Sequence, residues 1–168
     1  SGWSFSFRYL PNGSRQIISF QIPGDFLGVQ NLLSRRANYG FETITDVKAW
    51  ELTSPAFLDL MAGPPRLASA LLWAMLRDEA ILVEHLVDLG RRDADARIAH
   101  LLLELGVRLR MVGLGSSSGY ECPLTQSHLA DALGLSTIHL NRTLRLLREK
   151  KLLTFNINRH IVLNSLMI

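Results

Sequence analysis

Hydrophobic positions change their period along this chain, and each change marks an element. Trp3, Phe5 and Phe7 alternate with Ser4, Ser6 and Arg8, the two-residue period of a half-buried strand. Pro11-Asn12-Gly13 predicts a tight hairpin turn, and Arg15 to Ile22 predicts the return strand. Pro23 to Gly28 (P-G-D-F-L-G) predicts a second turn. Phe41 to Leu52 extends the strand reading, with Ile44, Val47 and Trp50 expected in the core. Short strands between close turn signals point to a small barrel or jelly roll.

The period then becomes helical. Ser54-Pro55 predicts a short helix with Ser54 as cap and Pro55 at its first position. After Gly63-Pro64-Pro65, one uninterrupted apolar-periodic run extends from Arg66 to about Leu89. Ala68, Leu72, Met75, Glu79, Leu82, Leu86 and Leu89 fall at alternating four- and three-residue steps, a heptad-like seam. A helix this long between two small domains suits a dimer interface; a single buried helix in a monomer is the alternative. Glu79 and His85, on or beside the seam, read as satisfied interface groups. Gly90 to Asp93 predicts a hinge, with Asp93 capping a helix that presents Ile98, Leu101, Leu102, Leu105 and Leu109. Gly113 to Tyr120 reads as a flexible loop.

The stretch from Leu124 to Leu153 carries the strongest signal. Thr125 caps a short helix with Leu129, Ala130 and Leu133 on one face. Gly134 ends it where a left-handed backbone is needed, and Ser136 caps the next helix. That helix, 136–150, buries Leu140, Leu144 and Leu147. A small Ala130, the turn Gly134 and an apolar Leu140 let two short helices cross closely, as a helix-turn-helix requires. An ordinary helical hairpin is the alternative. Leu152 to Ile157 and His160 to Leu163 then predict a β-hairpin turning at Asn158-Arg159, the wing of a winged helix.

Charge sharpens this reading. Net charge is only +3 over 168 residues, but residues 123–168 hold six Lys/Arg against two Asp/Glu, while residues 1–64 balance at five each. Basic charge on the helix-turn-helix segment is what a phosphate-binding module needs. With 48% hydrophobic and 20% charged residues, the chain belongs to neither the disordered nor the coiled-coil class. Cys122 is the only cysteine, which excludes an intrachain disulfide and favours a cytoplasmic setting. No run is long enough to span a membrane, so no membrane partner is expected. The five histidines fall on different elements, and no Ser-His-Asp, His-Glu-x-x-His or phosphate-loop pattern occurs, so an enzyme is not expected. Cys122 with His128 as a metal pair is weaker than a packed thiol.

The order of parts resembles the Crp–Fnr superfamily of bacterial transcription regulators. The resemblance rests on R-Q-I-I-S-F-Q-I-P-G-D-F-L-G (Arg15 to Gly28), the long helix, and L-A-D-A-L-G-L-S-T-I-H-L-N-R-T-L (Leu129 to Leu144). It implies an α+β chain: a partial cyclic-nucleotide-binding-type jelly roll at 1–64, a dimerisation helix at 65–90, and a winged helix-turn-helix DNA-binding domain at 91–168. It further implies a homodimer on double-stranded DNA, RNA polymerase as a partner, and a first part of the jelly roll lying outside this chain.

Departures from the family pattern bear on ligands. Cyclic-AMP-binding members follow the turn with Glu and place Arg-Ser beyond it; here Gly28 precedes Val29, and the later stretch reads Ala37-Asn38-Tyr39-Gly40, with Arg35 and Arg36 nearby. A buried phosphate without a fixed Arg would cost several kcal/mol, so cyclic AMP is not expected in the usual mode. One cysteine cannot supply an iron–sulfur cluster. No cofactor is expected, and the effector is left open. The recognition helix starts Ser136-Thr137-Ile138 where well-known members have Ser-Arg-Glu, but Arg142 falls at the family's later base-reading arginine. The expected DNA contacts are Thr125, Ser136, Thr137, His139, Asn141, Arg142 and Arg145. A sequence-specific, homodimeric regulator reading an inverted repeat is therefore the expectation. A ligand-sensing or scaffold module with weak DNA binding, acting through protein partners, is the alternative.

Overall fold

The computed structural model describes residues 1–29, 39–117, 119–155 and 160–163. Strands β1 (Ser4–Tyr9), β2 (Arg15–Gln21) and β3 (Gly40–Thr43) form an antiparallel sheet in the order β2-β1-β3. The β1–β2 turn closes through Leu10 N–H to Ser14 O at 2.8 Å, with Gly13 at φ +82°. The β1–β2 register shifts between Ser6 and Phe7, so Ile18 is skipped in the pairing. This bulge brings Ile17 and Phe20, at an odd spacing, into the same core as Phe5.

Strand structure ends earlier than the expected stretch from Phe41 to Leu52, at Thr43. After Thr43 the chain folds around the N-terminal residues, with Ile44 N–H on Trp3 O at 2.8 Å and Lys48 N–H on Ser1 O at 3.0 Å. No strand pairs with this segment among the described residues. Ile44 packs against the core, but Val47 is only half-buried and Trp50 is fully exposed, not a core residue.

Helix α1 spans Ser54–Ala62, and its cap is Thr53 rather than Ser54. Helix α2 runs from Pro65 to Arg91, passing straight through Gly90, so the expected hinge shrinks to Arg92 and Asp93. Arg92 is itself held, its guanidinium bridging Glu84 at 2.8 Å and Asp88 at 2.5 Å. Along α2 only Leu71, Ala74 and Asp88 are buried. The seam residues Leu72, Met75, Leu82, Leu86 and Leu89 are exposed, Leu86 to 71%. Helix α3 (Ala94–Met111) buries Ile98, Leu101, Leu102, Leu105 and Leu109, all five of the expected face.

Gly113 to Tyr120 is not a plain loop. It carries β4 (Gly115–Ser116) and β5 (Gly119–Glu121), which join β6 (Leu153–Phe155) and β7 (His160–Leu163) in a sheet ordered β4-β5-β7-β6. Antiparallel β6 and β7 form the wing; its expected turn at Asn158-Arg159 lies outside the described residues. Between β5 and β6 stand α4 (Gln126–Leu133) and α5 (Thr137–Glu149). One hydrophobic core joins Trp3, Phe5 and Phe20 to Leu102, Leu133 and Leu147. No helix among the described residues is long and apolar enough to cross a membrane.

Candidate nucleic-acid interface

Both helices of the motif begin with a built cap. Thr125 Oγ1 accepts from His128 N–H at 3.2 Å while Thr125 N–H donates to His128 Nδ1 at 3.3 Å, a capping box with histidine in the place of Glu. Gly134 has φ +63° and ψ +34°, and its N–H returns to Ala130 O. A Cβ there would meet Leu89 Cδ2 at 3.3 Å, so the turn lies directly against the end of α2. Ser136 Oγ then accepts from His139 N–H at 3.2 Å and opens α5.

The two faces of α5 are sharply different. Leu140, Thr143, Leu144 and Leu147 are buried; Thr137, Ile138, His139, Asn141, Arg142 and Arg145 are exposed. Thr143 spends its hydroxyl on His139 O at 3.0 Å, which removes it from any ligand. Every expected contact residue is on the surface, with Thr125 and Ser136 at the two helix starts, where free amides and the positive dipole end favour anions. Arg145 leans toward Glu149 at 3.6 Å, but both are exposed, and such a pair constrains it little. Exposed Ile138 stands among these polar groups without having been expected as a contact.

The motif is anchored to the β1–β2 hairpin. Arg15 Nε donates to Asp131 Oδ2 at 2.9 Å, and Gln16 donates to Ala132 O at 3.0 Å. The His128 ring lies 5.2 Å from the Phe5 ring. Burial and the charge of Arg15 push the His128 pKa below its ordinary value. His128 is thus held between its cap and the Phe5 ring, Cys122 is buried, and no group of three or more metal-ligating side chains assembles among the described residues.

A second polar feature went unforeseen. Asp25 closes its own turn by accepting from Ile22 N–H at 2.8 Å, and also pairs with Arg108 of α3 at 2.5 Å and Arg77 of α2 at 2.8 Å. Arg108 continues to Glu104 at 2.7 Å, and Glu104 to His85 at 2.5 Å. Burial disfavours charge on His85, but the Glu104 hydrogen bond and the charges of Glu104 and Asp88 outweigh it against Arg108, so its pKa rises. Burial would raise Glu104 likewise, but His85 and Arg108 bring it below the usual carboxylate value. The i,i+4 spacing of Glu104 and Arg108 was a readable signal; the link to Asp25, 83 residues away, was not. His85 is thus satisfied inside the chain rather than across a dimer seam.

Beside this network lies a cavity of about 310 Å³ between β2 and α2, lined by Gln21, Asp25, Tyr39, Asp78, Glu79 and Arg108. Its one described cation, Arg108, is already committed to Asp25 and Glu104. The Arg35-Arg36 stretch and Ala37-Asn38 lie outside the described residues.

Two family descriptions match the chain: a cyclic nucleotide-binding domain over residues 1–63 and a Crp-like helix-turn-helix domain over residues 96–166. The nitrogen fixation regulation protein FixK of Bradyrhizobium diazoefficiens is 35% identical over 82% of this chain. The transcriptional activatory protein AadR of Rhodopseudomonas palustris is 30% identical over 88%. The chain spans 56% and 60% of the lengths of these two relatives. Among solved structures, FixK2 of Bradyrhizobium japonicum superposes with a TM-score of 0.78 at 27% identity, covering 98% of this chain and 80% of that one. A CRP-family regulator of Thermus thermophilus, 19% identical, shares the fold with a TM-score of 0.72 over 99% of this chain and 80% of its own. A sheet turn, long helix and capped helix-turn-helix in this order, matched along nearly the whole chain, place it in the Crp–Fnr superfamily of transcription regulators.

Proposed function

We propose that this chain acts as a sequence-specific, DNA-binding transcription regulator, a homodimer whose two α5 helices read an inverted repeat in successive major grooves. The observation that carries it is the division of α5: an apolar face buried against α3 and α4, and an opposite face on which Thr137, His139, Asn141, Arg142 and Arg145 are all exposed. Arg142 bonds two acceptors on guanine, Arg145 neutralises phosphate, and the caps at Thr125 and Ser136 hold phosphates through helix N-terminal amides. The exposed α2 seam supports the dimer, since a second copy would cover Leu72, Met75, Leu82 and Leu86. By family, RNA polymerase is the partner to which DNA-bound dimers answer. The working compartment is the cytoplasm.

Selection from a random duplex pool, with and without cyclic AMP, tests this. An enriched inverted repeat with half-sites about one helical turn apart, independent of nucleotide, is expected. Enrichment only with cyclic AMP would overturn the expectation that the β-domain does not bind this nucleotide in the usual mode. Absence of enrichment, or binding insensitive to salt, would overturn DNA reading itself.

A further inference from the structure

We propose that Ile138 reads a thymine methyl group in the major groove, an assignment that rests on the DNA-reading function above. Ile138 is the second residue of α5 and is 84% exposed. Helical spacing sets it diametrically opposite the buried stripe of Leu140, Leu144 and Leu147. Asn141, Arg142 and Arg145, at three, four and seven residues further on, share its outward face.

A single exposed apolar side chain is ordinary on a protein surface. The position of this one gives it meaning. It stands in the first turn of the helix, where a helix lying in the major groove meets base edges. A β-branched residue is a weaker helix former than Ala, Gln or Arg, and at this exposure the chain's own packing offers little in return. Its side chain has neither a donor nor an acceptor, so hydrogen-bond readout is closed to it. The apolar group that the major groove displays on a base edge is the C5 methyl of thymine. Arg142, one helical turn along the same face, sits within about one or two base pairs of it. The pair would then read a thymine by contact and a nearby guanine by hydrogen bonds.

Uracil substitution isolates the contact, because it removes the methyl group and leaves pairing intact. Each thymine of the selected duplex is replaced in turn, and binding is measured for the chain and for Ile138→Ala. One position per half-site should weaken by about three- to five-fold with uracil, the worth of one buried methyl. At that position Ile138→Ala should bind thymine and uracil duplexes equally, while Ile138→Val keeps part of the preference. Unchanged melting temperatures would confirm that both variants fold. Absence of any uracil-sensitive position, or equal uracil sensitivity in Ile138→Ala, overturns the assignment and leaves DNA reading standing. A chain that enriches no duplex at all overturns both.

Discussion

At the level of single residues, the proposed interface divides between groups expected to specify and groups expected to hold. Arg142→Ala should cost about 1–3 kcal/mol at one base pair and flatten base preference there, measured by repeating the selection. Arg145→Ala should instead weaken all sequences alike and lower the salt slope by about one, measured by titration at several salt concentrations. Gly134 occupies a left-handed backbone that a Cβ strains by about 1–2 kcal/mol, and Leu89 leaves that Cβ little room. Gly134→Ala should therefore lower the melting temperature and loosen the α4–α5 turn together. These positions were readable because caps and turns have local chemistry: Thr125, Gly134 and Ser136 stand where their side chains and backbone preferences demand. Trp50 shows the limit. Apolar Ile44, Val47 and Trp50 read as strand core, but a strand also needs a neighbour to pair with, and the chain past Thr43 wraps the N-terminal residues instead.

Among the elements, α2 carries two opposite demands. Its outer seam leaves Leu86 at 71% exposure, and Leu86→Glu should convert the proposed dimer to a monomer without loss of helicity, read by sedimentation and circular dichroism. Its inner side meets α3 through His85 and Glu104, where protonation enters stability. His85 has a raised pKa, so its contribution is complete below its ordinary value of about 6.5 and is lost as pH climbs through the raised one. Glu104 has a lowered pKa, so its contribution is complete above the ordinary carboxylate range and is lost only as pH falls through the lowered value. Thermal stability should peak between those ordinary values, and His85→Gln should flatten the alkaline limb of the melting curve. The helices themselves were legible from their period, since one apolar stripe per helix suffices to find them. The ionic network was not, because Asp25 looks like any turn aspartate until α2 and α3 arrive beside it.

Across the whole molecule, one core runs from Trp3, just before β1, to Leu147 in the motif. Calorimetry should accordingly give a single heat-absorption peak, whereas two resolved peaks would mean that the sheet and the winged helix melt apart. Arg15 and Gln16 fasten α4 to the hairpin, and Leu89 presses on the Gly134 turn, so α5 has no free joint beneath it. In a dimer built on α2, the two reading helices would then act as the fixed jaws of a calliper. Inserting one base pair between half-sites moves them apart by about 3.4 Å and rotates them by about 35°. A calliper without play cannot follow that change, so the operator's phase, as much as its letters, would decide where this protein sits on a chromosome.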